Sequence, residues 1–235
     1  MDIDDKDSQA LSHAVAGFFL APVRVRTYTN LLYLALAFPV GIGYFIFLTV
    51  GLALGFGLTI LWIGLPILAL VFAGSWGLAA LERQLAIHLL GADVPPMSPP
   101  VAAVGEPVGF WRTIGEFLGN PVTWKGMAFL LLKLPLGIVS FIMAVALLSI
   151  SGGLTAAPFL YPWEEITIDL FFWSPDSFAE YLLCGAVGVV LLVAALNLLN
   201  GLAFLWRQLA VALLGSQRFA TPAEPTGIPE AAVAA

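Results

Sequence analysis

Charge is what this sequence has least of. Only 10% of its 235 residues are Asp, Glu, Lys or Arg. A soluble domain carries about 25%. With 60% hydrophobic residues and a mean hydropathy of +0.98, the chain cannot dress a folded surface for water. An ordinary soluble globule is excluded, and an integral membrane protein is expected. Cysteine is almost missing. The single Cys184 rules out a disulfide or a thiolate metal cluster within the chain. Histidine is scarce as well, with His13 and His88 in separate segments. No H-E-x-x-H, C-x-x-C, nucleophile elbow or P-loop occurs. The sequence therefore offers no reaction centre: no enzyme, cofactor, metal site or nucleic-acid partner is expected. The opening MDIDDKD is acidic, with no apolar stretch directly behind it. No cleavable signal peptide is expected from such a stretch, and the first membrane helix is expected to direct insertion.

What is present is long apolar stretches. Leu31 to Leu81 contains no charged residue. As one helix it would be about 75 Å long, at about 1.5 Å per residue, against a bilayer core of about 30 Å. It must cross twice. The glycines of GLALGFG, Gly51 to Gly57, are the expected reversal. The spans are then expected near 30–52, 57–80, 126–150 and 180–204. Pro39, Pro66 and Pro135 fall inside spans, where lost backbone bonds can be re-satisfied, and kinks are expected there.

The nine basic residues are Lys6, Arg24, Arg26, Arg83, Arg112, Lys125, Lys133, Arg207 and Arg218. In a four-span arrangement all fall on one side, or within reach of it by snorkelling in the case of Lys133. The segment between spans three and four carries Glu164, Glu165, Asp169, Asp176 and Glu180 and no Lys or Arg. The positive-inside rule places both termini in the cytoplasm and the acidic loop outside, in the cell membrane.

One phrase is written twice. LERQLAIHLLG from Leu81 and LWRQLAVALLG from Leu205 share eight of eleven positions at a shift of 124. LALAFPVGIGYFI from Leu34 and LLLKLPLGIVSFI from Leu130 share seven of thirteen at a shift of 96. The difference, 124 − 96 = 28 residues, falls between about Thr155 and Leu205 and largely makes the outer acidic loop. The expected fold is all-α: four transmembrane helices as two tandem hairpins of the same orientation, related by a pseudo-two-fold axis along the membrane normal, with interfacial helices. Residues 1–17 form an acidic tail, 18–91 the first hairpin and 92–105 a proline-rich linker. Residues 106–215 form the second hairpin with its outer loop at 156–180, and 216–235 a disordered tail. Gly91 and Gly215 are expected to cap the closing helices. Phe18, Phe19 and Leu20, and Phe110, Trp111, Ile114 and Phe117, either lie on the inner leaflet or pack as loops on the bundle.

Candidate site residues fall into three groups. In the outer loop, Trp163, Glu164, Glu165, Asp169, Trp173 and Asp176 mix aromatics with carboxylates. They read as an interfacial belt or as a platform for a cationic or amphiphilic ligand. Glu82, Arg83 and Arg207 open the repeated phrases. They read as surface anchors or as an output surface. Within the spans, Asn197 and Asn200 read as helix–helix glue and Lys133 as a snorkelling side chain. No acidic group is expected inside a span, which argues against a proton-coupled pump.

TYTNLLYLALAFPVGIGYF from Thr27, LWIGLPIL from Leu61, LERQLA from Leu81, NPVTWKGMAFLLLKLPLGIVSF from Asn120 and LWRQLA from Leu205 together resemble a sensor-domain family of bacterial and archaeal membrane proteins. Its members often precede histidine kinase cores. The resemblance runs from about Phe18 to Gly215. It implies a four-span module that senses something at or in the membrane, and it supplies no catalytic residues or ligand. No kinase core follows Gly215, so output through a separate signalling partner is expected. Membrane lipids are further expected partners, and a homodimer could form through GLALGFG and CGAVG. A transport component or a lipid-organising scaffold are the alternatives.

Overall fold

The computed structural model describes residues 18–96, 115, 119–160 and 177–215. Four long helices account for nearly all of them: α1 (Val25–Gly57), α2 (Gly64–Leu90), α3 (Pro121–Leu160) and α4 (Phe178–Leu214). Each is long and apolar enough to cross a membrane, and no strand occurs among the described residues. A helix closes its backbone hydrogen bonds internally, which an apolar solvent demands. Their outward faces are apolar as well: Leu70, Ile150 and Val190 are more than half exposed. That surface suits lipid rather than water.

α1, α3 and α4 run past the expected spans at both ends, because hydropathy marks only the part that meets hydrocarbon, whereas α2 begins later than expected, at Gly64, and runs past only at its far end. The first reversal also lies elsewhere. α1 continues through Gly51 to Gly57, and the chain turns over Leu58–Ile63, where Trp62 takes the left-handed conformation (φ 61°). Gly51 and Gly55 serve packing instead. A Cβ on Gly51 would stand 2.5 Å from a Val71 methyl carbon, and one on Gly55 would stand 2.5 Å from a Leu68 methyl carbon. α1 and α3 are continuous helices through Pro39 and Pro135. Pro66 falls in the first turn of α2, where its missing N–H has no intrahelical partner to lose. At the far end, Ser177 and Glu180 form a capping box that starts α4.

The repeat is written into the contacts. α1 crosses α3 at the centre, and each is flanked by its own hairpin partner, α2 or α4. At the crossing, a Cβ on Gly41 would lie 3.0 Å from Lys133 O and 3.0 Å from Leu134 Cα. Its repeat counterpart Gly137 faces the counterparts of those residues: a Cβ there would lie 2.7 Å from Ala37 O and 3.1 Å from Phe38 N. The contact is reciprocal, as a two-fold axis between the hairpins requires. Gly185 and Gly188 pack within the second hairpin, against Pro158 and against Leu154 and Thr155. The glycines of both stretches considered for a dimer are therefore largely used inside the chain.

Gly91 closes α2 in the left-handed conformation (φ 54°), with Ala92 N donating to Ala86 O at 3.0 Å. Gly215 holds the matching cap position of α4 but is extended (φ −76°, ψ 134°), so the two helices end differently.

Candidate functional site

Three helices converge on a charge pair. Glu82, on α2, is fully buried (0% exposed), and Lys133, on α3, is 2% exposed. Lys133 Nζ donates to Glu82 Oε2 at 2.5 Å. The second carboxylate oxygen, Oε1, accepts from the Tyr44 hydroxyl of α1 at 2.9 Å. Tyr33, also on α1, donates to Glu82 Oε2 over a longer 3.4 Å and accepts from Lys133 Nζ at 3.3 Å. Rings then surround the ammonium. Nζ lies 4.5 Å from the Tyr33 ring centroid, 5.7 Å from that of Trp206 and 6.0 Å from that of Phe129. Trp206 meets Tyr33 and Phe129 edge to face.

Each partner answers a cost. An ion moved out of water loses several kcal/mol of hydration even after relaxation. The pair attraction, the tyrosine hydroxyls and the aromatic faces replace that hydration. Glu82 stands eight residues before the end of α2, about two helical turns inside the bundle. Its neighbour Arg83 points the other way and donates to the carbonyls of Val94 (2.7 Å) and Pro95 (3.0 Å).

Two expectations are corrected here. Glu82 is not a surface anchor, and Lys133 does not snorkel to the membrane edge: each finds its counter-ion inside. An acidic residue therefore does lie within a spanning helix. The Glu82–Arg83 dipeptide reads as a charged helix exit, but successive residues on a helix face different ways, so one enters the core while its neighbour leaves it. The repeat held the missing signal. Glu82 aligns with Trp206 and Lys133 with Ala37, both apolar and buried. Tyr33 and Tyr44, which the sequence reading passed over, align with Phe129 and Ser140. These four polar differences between the copies lie in one cluster.

The asparagines work at the charged end. Asn200 donates to Thr27 Oγ1 at 3.0 Å and accepts from Asn30 at 2.9 Å, which stitches α4 to α1. Asn197 donates to the Phe18 carbonyl at 2.9 Å and so holds the segment before α1. In that segment Ala21 is buried while Phe19 and Leu20 are exposed. Arg207, half-buried, lines a polar pocket with Arg26, Asn30 and Asn200. The outer-loop candidates Trp163, Glu164, Glu165, Asp169, Trp173 and Asp176 lie outside the described residues, as do Phe110, Trp111, Ile114 and Phe117.

Two apolar grooves repeat as well. One, of about 440 Å³, is lined by Val40, Tyr44, Phe47 and Leu78 between α1 and α2. Its counterpart between α3 and α4, of about 210 Å³, is lined by Leu136, Ser140, Leu202 and Trp206. At the base of the second, Trp206 Nε1 donates to Ser140 Oγ at 2.8 Å.

Fold and site define a class: a duplicated helical-hairpin membrane module with a buried charge pair. The family follows from comparison. The model of the family described as "Putative sensor" matches residues 33–214, and the chain belongs to that family. No curated protein and no solved structure matches the chain.

Proposed function

We propose that this chain is a non-enzymatic membrane sensor module, in the cell membrane with both termini cytoplasmic, that passes a membrane or extracellular stimulus to a separate partner. Family membership supports the sensor reading. The observation that carries the mechanism is the Glu82–Lys133 pair, which ties α2 of the first hairpin to α3 of the second. A sensor needs two states with different affinity for its stimulus. A charge pair in an apolar bundle is a discrete contact: it is either made, or broken at high cost, with little between. Motion of one hairpin against the other about the Gly41–Gly137 crossing would change its geometry and the spacing of the two closing helices together.

The test places spin labels at Gln84 and Gln208, exposed equivalents on α2 and α4, in a Cys184→Ala background. Distances are measured in bilayers of varied lipid, tension and pH. The reading expects two distance populations whose ratio responds to at least one condition, and a shift in that ratio in Glu82→Gln. A single unchanging distance in the parent and in Glu82→Gln, under every condition, would sink it.

A second reading has one specific observation in its favour. An ionisable pair within the spans is what a proton- or ion-coupled transporter uses, and Glu82 and Lys133 supply one. Vesicles reconstituted with the chain and loaded with a pH-sensitive dye separate the two. Flux abolished by Glu82→Gln would move the assignment to transport.

A further inference from the structure

We propose that the polar pocket at the charged end of the bundle is a binding site for a phosphate ester, such as an anionic lipid headgroup. Arg26 and Asn30 enter it from the start of α1, Leu90 from the end of α2, and Asn200, Phe204 and Arg207 from α4. Its volume is about 180 Å³. Drug-sized ligands occupy about 300–1,000 Å³, so the space suits one compact group. Among the described residues, no acidic side chain lines it.

The donors match an oxyanion. Arg26 uses Nη2 on the Leu90 carbonyl at 2.6 Å, which offsets the negative end of α2, and its other N–H groups have no partner among the described residues. Arg207 has no ion-pair partner among the described residues. Two guanidinium forks can hold phosphate oxygens in a bidentate manner. Asn200 is fixed in place by its bonds to Thr27 and Asn30, so the floor is preorganised. Phe204 and Leu205, 53% and 62% exposed, continue the lipid-facing surface directly beside the pocket. A headgroup could enter there with its chains on that surface.

The repeat argues that the pocket is built rather than left over. In the other half the equivalents of Arg26, Asn30, Asn200 and Phe204 are Val122, Gly126, Trp76 and Ala80. There the helices close up: a Cβ on Gly126 would lie 3.1 Å from the Ala79 Cβ. The equivalents of the bonded Thr27 and Asn200 are Thr123 and Trp76. Thr123 Oγ1 and Trp76 Nε1 are both buried without a hydrogen-bond partner among the described residues. One copy is closed and carries Val, Gly and Trp. The other holds a cavity lined by three polar side chains at those positions.

The test is native mass spectrometry of the full chain in detergent, titrated with phosphatidylglycerol or phosphatidylcholine, with glycerol phosphate as a competitor. We expect phosphatidylglycerol to be retained in preference to phosphatidylcholine. Arg26→Gln with Arg207→Gln should weaken that binding about tenfold, as loss of charge-assisted contacts implies. Asn200→Trp, which copies the closed half, should do the same without removing charge. Arg24→Gln, outside the pocket, should bind as the parent does. Displacement by glycerol phosphate at lipid-like concentrations would support the site and make a soluble phosphate ester its occupant. Lack of displacement would support the lipid. Parent-like phosphatidylglycerol retention in both the double variant and Asn200→Trp would overturn the proposal.

Discussion

Trp206 stands in the second hairpin where Glu82 stands in the first, and each receives or gives a hydrogen bond at the same place. Tyr44 donates to Glu82 at 2.9 Å, and Trp206 donates to Ser140, the counterpart of Tyr44, at 2.8 Å. One scaffold position therefore carries a charge on one side of the axis and a neutral indole on the other. Trp206 also reaches across to the ammonium that balances Glu82.

Removing one charge should be worse than removing both. Lys133→Met or Glu82→Leu alone leaves a buried ion unpaired, and each should cost about 3–5 kcal/mol in reversible unfolding. The double variant should recover most of that loss. A double variant as unstable as the sum of the singles would show that the pair is not the stabilising unit.

The two tyrosines should rank by geometry. Tyr44→Phe removes a 2.9 Å bond to the carboxylate, and Tyr33→Phe a 3.4 Å one. Tyr44→Phe should cost about 1–2 kcal/mol and Tyr33→Phe less, by the same unfolding assay. The reverse order would mean that the role of Tyr33 as an acceptor for Lys133 outweighs its bond to Glu82.

The crossing glycines should behave alike. Gly41→Ala and Gly137→Ala each push a methyl group into the facing backbone, at a cost of about 1–3 kcal/mol. Gly43→Ala, two residues further on but facing open space, should be tolerated. Thermal stability in detergent measures all three, and a silent Gly137→Ala would argue against the close approach.

Asn197→Ala should loosen the segment before α1. Its bond to the Phe18 carbonyl ties the start of that segment to α4, while Thr27 and Tyr28 hold the Ala21 and Pro22 carbonyls further on, so protease cleavage near Phe18 should accelerate. Asn200→Ala should instead lower global stability by about 1 kcal/mol, since it removes two interhelical hydrogen bonds of about 0.6 kcal/mol each. Equal cleavage rates in the parent and in Asn197→Ala would show that the tie is not what holds the segment.

Much of the architecture was legible. Hydropathy located four helices, and the repeat paired them into hairpins with a common orientation. The turn at Leu58–Ile63 was hidden because glycine serves both reversals and close packing, and only the partner helix decides between them. Gly51 and Gly55 lie opposite Val71 and Leu68, so they pack. The charge pair was hidden for a similar reason. Lys133 near a span end looks like a snorkelling residue until its partner is known, and that partner sits 51 residues away on another helix. Comparing the copies against each other, rather than only noting that they match, would have singled out Glu82, Lys133, Tyr33 and Tyr44.

The reciprocal seating of Gly41 and Gly137 makes the hairpin surface self-complementary. A contact in which the same patch meets itself is the isologous kind that builds symmetric dimers. This bundle is such a dimer written on one chain. Covalent linkage lets the two subunits diverge: the first could take the acid and the second the base of one buried ion pair, with no second pair required at the symmetry-related Ala37 and Trp206.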